Sequence, residues 1–215
     1  NLTLFRADLG VQDEVRRVAD EIAARFPEVT VLMNNAGTAQ GHRTLTTDGL
    51  ETTFAVNHLG PFLLTHLLLD KVKAAAPSRI VTVASAAHRR AELDFDNLQG
   101  ERRYSVRGAY SRSKLANILF TRELARRLKG TGVVANCVHP GVVNTGIWQV
   151  NWLMRLIAPV MGRMLRTPAH GAETPLYAAL DARAGQVSGV YLVDRKPTPT
   201  SRAAEDMLVA LRLWE

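Results

Sequence analysis

The chain has 215 residues, with 27 Lys+Arg against 20 Asp+Glu for a net charge of +7 and 47% apolar residues. At roughly 100 to 200 residues per domain, that describes one globular domain long enough for a sizeable core. A single cysteine, Cys137, excludes an intrachain disulfide and a cysteine-rich metal module, and no run approaches the ~18 apolar residues of a membrane span. The arginine pairs Arg16-Arg17, Arg89-Arg90, Arg102-Arg103 and Arg126-Arg127 are scattered. They read as a solvated face, with an anionic cofactor or acidic lipid as alternatives, and lack the aromatic-interleaved stripe that nucleic acid requires. No basic region precedes Leu2-Thr3-Leu4-Phe5, so the chain as written is expected to be neither anchored nor secreted.

Taken in chain order, residues 2–5 form a short β-rich run. Residues 11–26 follow with Val15, Val18, Ala19 and Ile22 at helical spacing, and 29–33 read as a strand. A long helical pattern covers about 48–75, and 79–84 read as a third strand. In 110–128 a buried stripe of Leu115, Ile118, Leu119 and Leu124 lies opposite Arg122, Arg126 and Arg127. Residues 133–138, which would bury Cys137 as a structural thiol, and 190–193 complete five strands. Strands alternating with helices predict an α/β fold on a parallel sheet. The stretch 146–166 carries Trp148, Trp152, Leu153, Met154, Leu156, Ile157, Val160 and Met161, more apolar surface than one helical stripe needs. It is compatible with a substrate lobe, a membrane-surface patch or core.

Open parallel sheets place their sites beyond the carboxyl ends of the strands. Four such ends carry polar signatures: Arg6-Ala7-Asp8-Leu9, Asn34-Asn35-Ala36-Gly37, Ser85, and His139-Pro140-Gly141. Tyr110 and Lys114, four apart on a helix, share one face. A nearby ammonium is the simplest means of drawing a phenol, ordinarily near pKa 10, toward neutral-pH acid–base work. Asn57 stands four residues before Pro61, which has no N–H to return to the Asn57 carbonyl. That carbonyl is expected to be free, or the proline simply marks a kink between two short helices. His42, His58, His66, His88, His139 and His170 show no metal-ligand spacing and read as structural or surface residues.

The ordered set Asp8, Asn34-Asn35-Ala36-Gly37, Asn57, Ser85, Tyr110-x-x-x-Lys114 and Pro140-Gly141 with Thr145 resembles the short-chain dehydrogenase/reductases over nearly the whole chain. The runs from Val56 to Thr65 and from Ser78 to His88 resemble the retinol dehydrogenase (retinal reductase) branch. The resemblance implies a Rossmann-like doubly wound sheet in one partial domain, with 146–185 as the substrate-binding lobe. Tyr110 would be the general acid or base, Ser85 would hydrogen-bond the carbonyl oxygen, and Lys114 would hold the nicotinamide ribose and depress the Tyr110 pKa. Asn57 would hold a water relaying protons from Lys114. Asp8 would touch the adenine, and Asn35, Ala36 and Gly37 would pass close to the cofactor. Pro140, Gly141, Val143 and Thr145 would contact the carboxamide.

The activity implied is hydride transfer between NADP(H), preferred to NAD(H), and an apolar carbonyl or alcohol, retinoid-like or another lipid aldehyde or ketone. A homodimer through the helices containing His66 and Phe120, with Leu63 and Leu67 in its patch, is also implied. So is an endoplasmic reticulum membrane location through a missing N-terminus or the 146–166 segment.

The chain departs from the family at its start. Gly10, Gly37, Gly41 and Gly49 do not make the spaced triplet that binds pyrophosphate at a helix N-terminus, so the fold is expected to be N-terminally truncated, opening at the family's third strand. Either that strand moves to the edge at 29–33 or the edge stays unpaired. Ser85 and Tyr110 are 25 residues apart, a long spacing that resembles the retinol dehydrogenase branch, and Ala84 replaces a serine often found there. A catalytically silent truncated form acting as a scaffold or regulator is the alternative function.

Overall fold

The computed structural model describes residues 1–141 and 167–215. Helix α1 spans Gln12–Arg25 and buries Val15, Val18 and Ala19; Asp13 and Glu14 in its first turn and Arg25 in its last complement the helix dipole. Strand β1 is Val31–Asn34. The long helical pattern then divides into a three-residue turn α2, Thr52–Phe54, a π-helical turn, Ala55–Leu59, and α3, Gly60–Ala74. Strand β2 is Ser78–Val83, helix α4 is Val106–Arg127, and β3 is Val133–His139. A helix at Pro168–Leu180, strand β4 at Tyr191–Val193, a short β5 at Lys196–Pro197 and a C-terminal helix at Met207–Trp214 complete the order.

The sheet runs β1-β2-β3-β4-β5, parallel through β4, with β5 added antiparallel. Met33 pairs with Val81, Val81 with Asn136, and Cys137 with Tyr191. Because side chains alternate across a strand, Leu32, Ile80 and Ala135 face a core shared with Leu68, Val72, Phe120 and Leu124. Val81, Val83, Val138 and Leu192 face Ala178 and Ala179 of the Pro168–Leu180 helix. Helices on both faces make the sheet doubly wound. Cys137 is fully buried, and burial pushes its thiol up to about 12, as befits a structural residue.

Residues 2–5 form no strand. Leu2 and Leu4 are 98% and 87% exposed, and the segment is tied instead to α1, where Arg17 donates to the Arg6 carbonyl at 2.7 Å and Phe5 meets Phe26 edge-on. A strand without a partner leaves its backbone groups to water, and α1 offers side chains but no ladder. Among the described residues β1 is hydrogen-bonded only to β2, so its other edge stays open.

The interruption of the 48–75 helix has a local cause. Glu51 caps α2 by accepting from the N–H groups of Thr53 and Phe54, while Pro61 four residues beyond Asn57 cannot supply an α-type bond. The ladder widens to i→i+5, with Gly60 donating to the Ala55 carbonyl. Gly60 also meets the N-terminal segment, where a Cβ would lie 2.3 Å from the Leu9 carbonyl oxygen. Only glycine lets residues 8–10 lie against the start of α3.

The C-terminal helix packs on α4, and Trp214 stacks on Phe120 at 5.9 Å and meets Phe62 edge-on at 5.2 Å. Phe120 is 3% exposed beneath it. The Phe120 part of the expected dimer patch is therefore covered by the chain's own tail, while Leu63 and Leu67 are half-buried.

Candidate active site

Helix α4 begins four residues earlier than the sequence pattern suggests, because Ser105 caps it by accepting from the Gly108 N–H at 3.1 Å. Tyr110 is thus in the second turn, inside the helix and 8% exposed, with Lys114 one turn on and 2% exposed. Both face the carboxyl end of β2. There Ser85 caps the 3₁₀ turn Ala86–Arg90 by accepting from the Ala87 N–H at 3.2 Å, and its hydroxyl hydrogen-bonds Tyr110.

Lys114 Nζ donates to the Val83 carbonyl at 3.0 Å and lies 5.5 Å from the centroid of the Tyr110 ring. Its ammonium has left water for a site with one hydrogen-bonded carbonyl, and burial pushes its pKa down to about 8. Burial also holds the Tyr110 phenol above its ordinary value, with only the Ser85 hydrogen bond acting the other way. The expected depression of the Tyr110 pKa by Lys114 is not present in this structure. Desolvation of the phenol is the larger effect, and the ammonium is directed at Val83.

Asn57 is fully buried and works through its side chain. Its Oδ1 accepts from the Thr38 N–H at 2.7 Å, and its Nδ2 donates to the Thr38 carbonyl at 2.9 Å and to Ser113 Oγ at 3.0 Å. Ser113 in turn donates to the Tyr110 carbonyl at 2.8 Å. The turn after β1 is thereby bolted to the helix that carries Tyr110. Gly37 sits at the junction: a Cβ there would lie 3.5 Å from Lys114 Nζ and 3.4 Å from Asn57 Oδ1. Any longer side chain would fill the space over the ammonium.

Asn35 and Ala36 are exposed at the mouth of this space. Asn34 is buried and pins β1 in place by donating to Thr65 Oγ1 at 2.9 Å. Asp8, exposed at the start of α1, accepts from the Gly10 N–H at 2.8 Å. Pro140 and Gly141 follow β3, with Gly141 at φ +85°. Val143, Thr145 and the apolar stretch 146–166 lie outside the described residues. Of the 146–185 region, the Pro168–Leu180 helix packs on the sheet.

Sequence reasoning missed Ser113, and it missed Asn117, whose Nδ2 shares the Val83 carbonyl with Lys114 at 3.2 Å and whose Oδ1 meets His58 Nδ1 at 3.2 Å. The i,i+3 spacing of Lys114 and Asn117 is the signal that places both on one face. Among the described residues no cluster of three His, Cys, Asp or Glu is arranged for a metal, and no helix is long and apolar enough to cross a membrane.

A buried lysine beneath a small-residue turn, with a serine–tyrosine pair at its side, fits the ribose and nicotinamide end of a dinucleotide. The 215 residues contain no spaced glycine triplet to cradle its pyrophosphate.

A family model described as short chain dehydrogenase matches residues 1–155. Retinol dehydrogenase 12 of Bos taurus is 43% identical over 209 residues, covering 97% of this chain and 66% of that protein. The chain thus spans about two thirds of the length of the curated relatives it matches. In structure it is similar to an uncharacterised protein from Mycobacterium paratuberculosis, with TM-score 0.76 and 35% identity over 97% of this chain and 71% of that one. It is also similar to a blue fluorescent protein from a metagenomic library in complex with NADPH, with TM-score 0.64 and 25% identity over 86% of this chain and 71% of that one.

Proposed function

The chain belongs to the short-chain dehydrogenase family, and on that premise we propose that it serves an NADP(H)-dependent oxidoreductase acting on an apolar carbonyl compound or its alcohol. The observation that carries this reading is the hydrogen-bonded Ser85–Tyr110 pair at the end of β2 with the Lys114 ammonium buried one helical turn behind it. A carbonyl oxygen gains negative charge as it is reduced, and a fixed hydroxyl together with a phenol stabilises and protonates that oxygen. Tyr110 gives up its phenolic proton in reduction and takes one back in oxidation. Ser85 donates its single O–H to the same oxygen. The Lys114 ammonium, present below about pH 8, would donate to the nicotinamide ribose.

Asn57 holds the turn at 36–38 in register with α4 and, with no N–H available from Pro61, is the residue that would seat a water to return the proton. The dinucleotide, when bound, supplies the reducing equivalent. Lys114, Asn35, Ala36, Gly37, Pro140, Gly141, Val143 and Thr145 would hold its nicotinamide end, and Asp8 its adenine. The bound NADPH of a structural relative favours NADP(H) over NAD(H). The retinol dehydrogenase relatives favour a retinoid or similar lipid aldehyde as substrate.

The decisive experiment is Tyr110→Phe in the full-length natural protein. Removing only the phenolic proton should lower turnover about 100-fold or more while NADPH binding, read by fluorescence titration, is retained. A variant keeping more than about a tenth of the wild-type rate contradicts the general-acid role. Comparing retinaldehyde with a short polar aldehyde, each with NADPH and NADH, tests the substrate and cofactor choices.

A further inference from the structure

His88 is completely buried two residues beyond the start of the turn that Ser85 caps. Its Nδ1 lies 2.7 Å from the Ser85 carbonyl oxygen, which also accepts the His88 backbone N–H at 3.1 Å. A carbonyl can only accept, so Nδ1 carries the proton and Nε2 is left as an acceptor. Nε2 accepts the Ser201 N–H at 3.3 Å, 113 residues away in the chain. The ring is seated edge-on against Tyr191 of β4 at 5.1 Å.

The stretch around Ser201 is held from two sides. Arg89, in the Ser85 turn, donates to the Pro199 carbonyl, and Arg122 of α4 donates to Thr200 Oγ1 at 3.0 Å, which donates on to Glu205. The strap Pro199–Ser201 therefore joins the turn that aims Ser85 to the helix that carries Tyr110. His88 is the only one of these contacts that reaches the Ser85 backbone itself.

We propose that His88 is a positioning residue for Ser85: as a neutral Nδ1–H imidazole it fixes the Ser85 backbone and couples it through Ser201 to the C-terminal strap, setting the Ser85 hydroxyl against Tyr110. The assignment rests on the reading of Ser85 and Tyr110 given above. Burial, with Arg89 and Arg122 adding to it, holds the imidazole below its ordinary pKa, which agrees with a neutral ring. Geometry of this kind matters because small misplacements of a reacting group cost large factors in rate.

Two substitutions divide the two ends of the ring. In His88→Asn the side-chain amide reaches the Nδ1 position and can donate to the Ser85 carbonyl. In His88→Gln it reaches the Nε2 position and can accept only from Ser201. In the full-length natural protein, His88→Gln should lower kcat about tenfold or more with KM for the carbonyl substrate little changed, while His88→Asn stays within about threefold of wild type. In the Ser85→Ala background His88→Gln should add less than about twofold, because its effect runs through Ser85.

Equal losses from the Asn and Gln variants, or a Gln loss fully additive with Ser85→Ala, overturn the proposal. Ser85→Ala with wild-type turnover would overturn the reading of the site itself. Ser85→Ala crippled beside an unaffected His88→Gln overturns only the role of His88. Nitrogen-15 NMR of the unsubstituted protein gives a test independent of any variant: a neutral Nδ1–H ring at pH 7 supports the assignment, and an Nε2–H tautomer or an imidazolium ends it.

Discussion

His58 shows how far one buried ring can make stability depend on pH. It is 2% exposed among Phe54, Phe62 and Phe120, with Asn117 as its polar partner, and burial pushes its pKa down to about 4 from the usual 6.5. Between those values the unfolded chain binds a proton that the folded one refuses, so stability falls as pH drops through 6.5 toward 4 and is fully present above 6.5. The full effect is about 3 kcal/mol, of which about 2 kcal/mol is lost by pH 5. Chemical denaturation of the full-length protein and of His58→Leu should diverge by about that amount between pH 7 and pH 5. Parallel curves would show that His58 titrates in the folded state near its unfolded value. Lys114 obeys the same rule at the alkaline end. With its pKa near 8 in the folded state against 10.5 unfolded, its buried charge weakens the fold below about pH 8, and that cost is relieved as pH rises to 10.5. The site keeps a charge that the fold alone would discard, consistent with a lysine retained for its chemistry.

The elements around the site are held by contacts that sequence periodicity does not report. Gly60 looks like a weak point in a helical run, yet it is where the Leu9 carbonyl comes closest to α3. Gly60→Ala should force residues 8–10 and α3 apart and destabilise the protein by about 1–3 kcal/mol, the usual range for overpacking, with a fall in Tm as the readout. An unchanged Tm would mean that the N-terminal segment does not dock there. The sequence displayed β2, β3, β4, α1 and α4 clearly, since each has an apolar period or run with a matching partner. It also displayed the Tyr110–Lys114 face, because four residues are one helical turn. It did not display the C-terminal helix, because Leu208, Val209, Leu211 and Leu213 form an almost unbroken apolar run in which helix and strand look alike. Residues 2–5 read as a strand because β-propensity measures fit to a pleated sheet, and no neighbouring strand is paired with them here. The clamp of Asn57 on Thr38 and the bridge from Ser85 through His88 to Ser201 were illegible for a different reason: they join residues far apart in the chain, which only the fold brings together.

At the scale of the whole molecule, the proposed reading gives the 215-residue chain one end of a dinucleotide site, while its sequence carries no spaced glycine triplet for the other. Lys114, Tyr110 and the Pro140-Gly141 turn stand at the carboxyl ends of β2 and β3. Pyrophosphate needs helix-terminal N–H groups approached through glycine, and no strand–glycine-turn–helix with that spacing occurs in these residues. Among the described residues the other edge of β1 is paired with no strand, and Leu2 and Leu4 in the N-terminal segment are exposed. An unpaired edge is a template for pairing with another chain, and exposed apolar side chains add to the tendency to associate. Expressed alone, these 215 residues should therefore aggregate and show no rise in Tm with millimolar NADPH or NADH, whereas the full-length protein should show one. Addition of a ligand at 100 times its Kd stabilises a folded protein by about 2.7 kcal/mol, so a shift of several degrees is readily seen when binding occurs. A soluble monomer of 215 residues that melts cooperatively and gains stability with NADPH would overturn the prediction. It would mean that the contacts around Lys114, Tyr110 and Gly37 bind the nucleotide without a phosphate cradle.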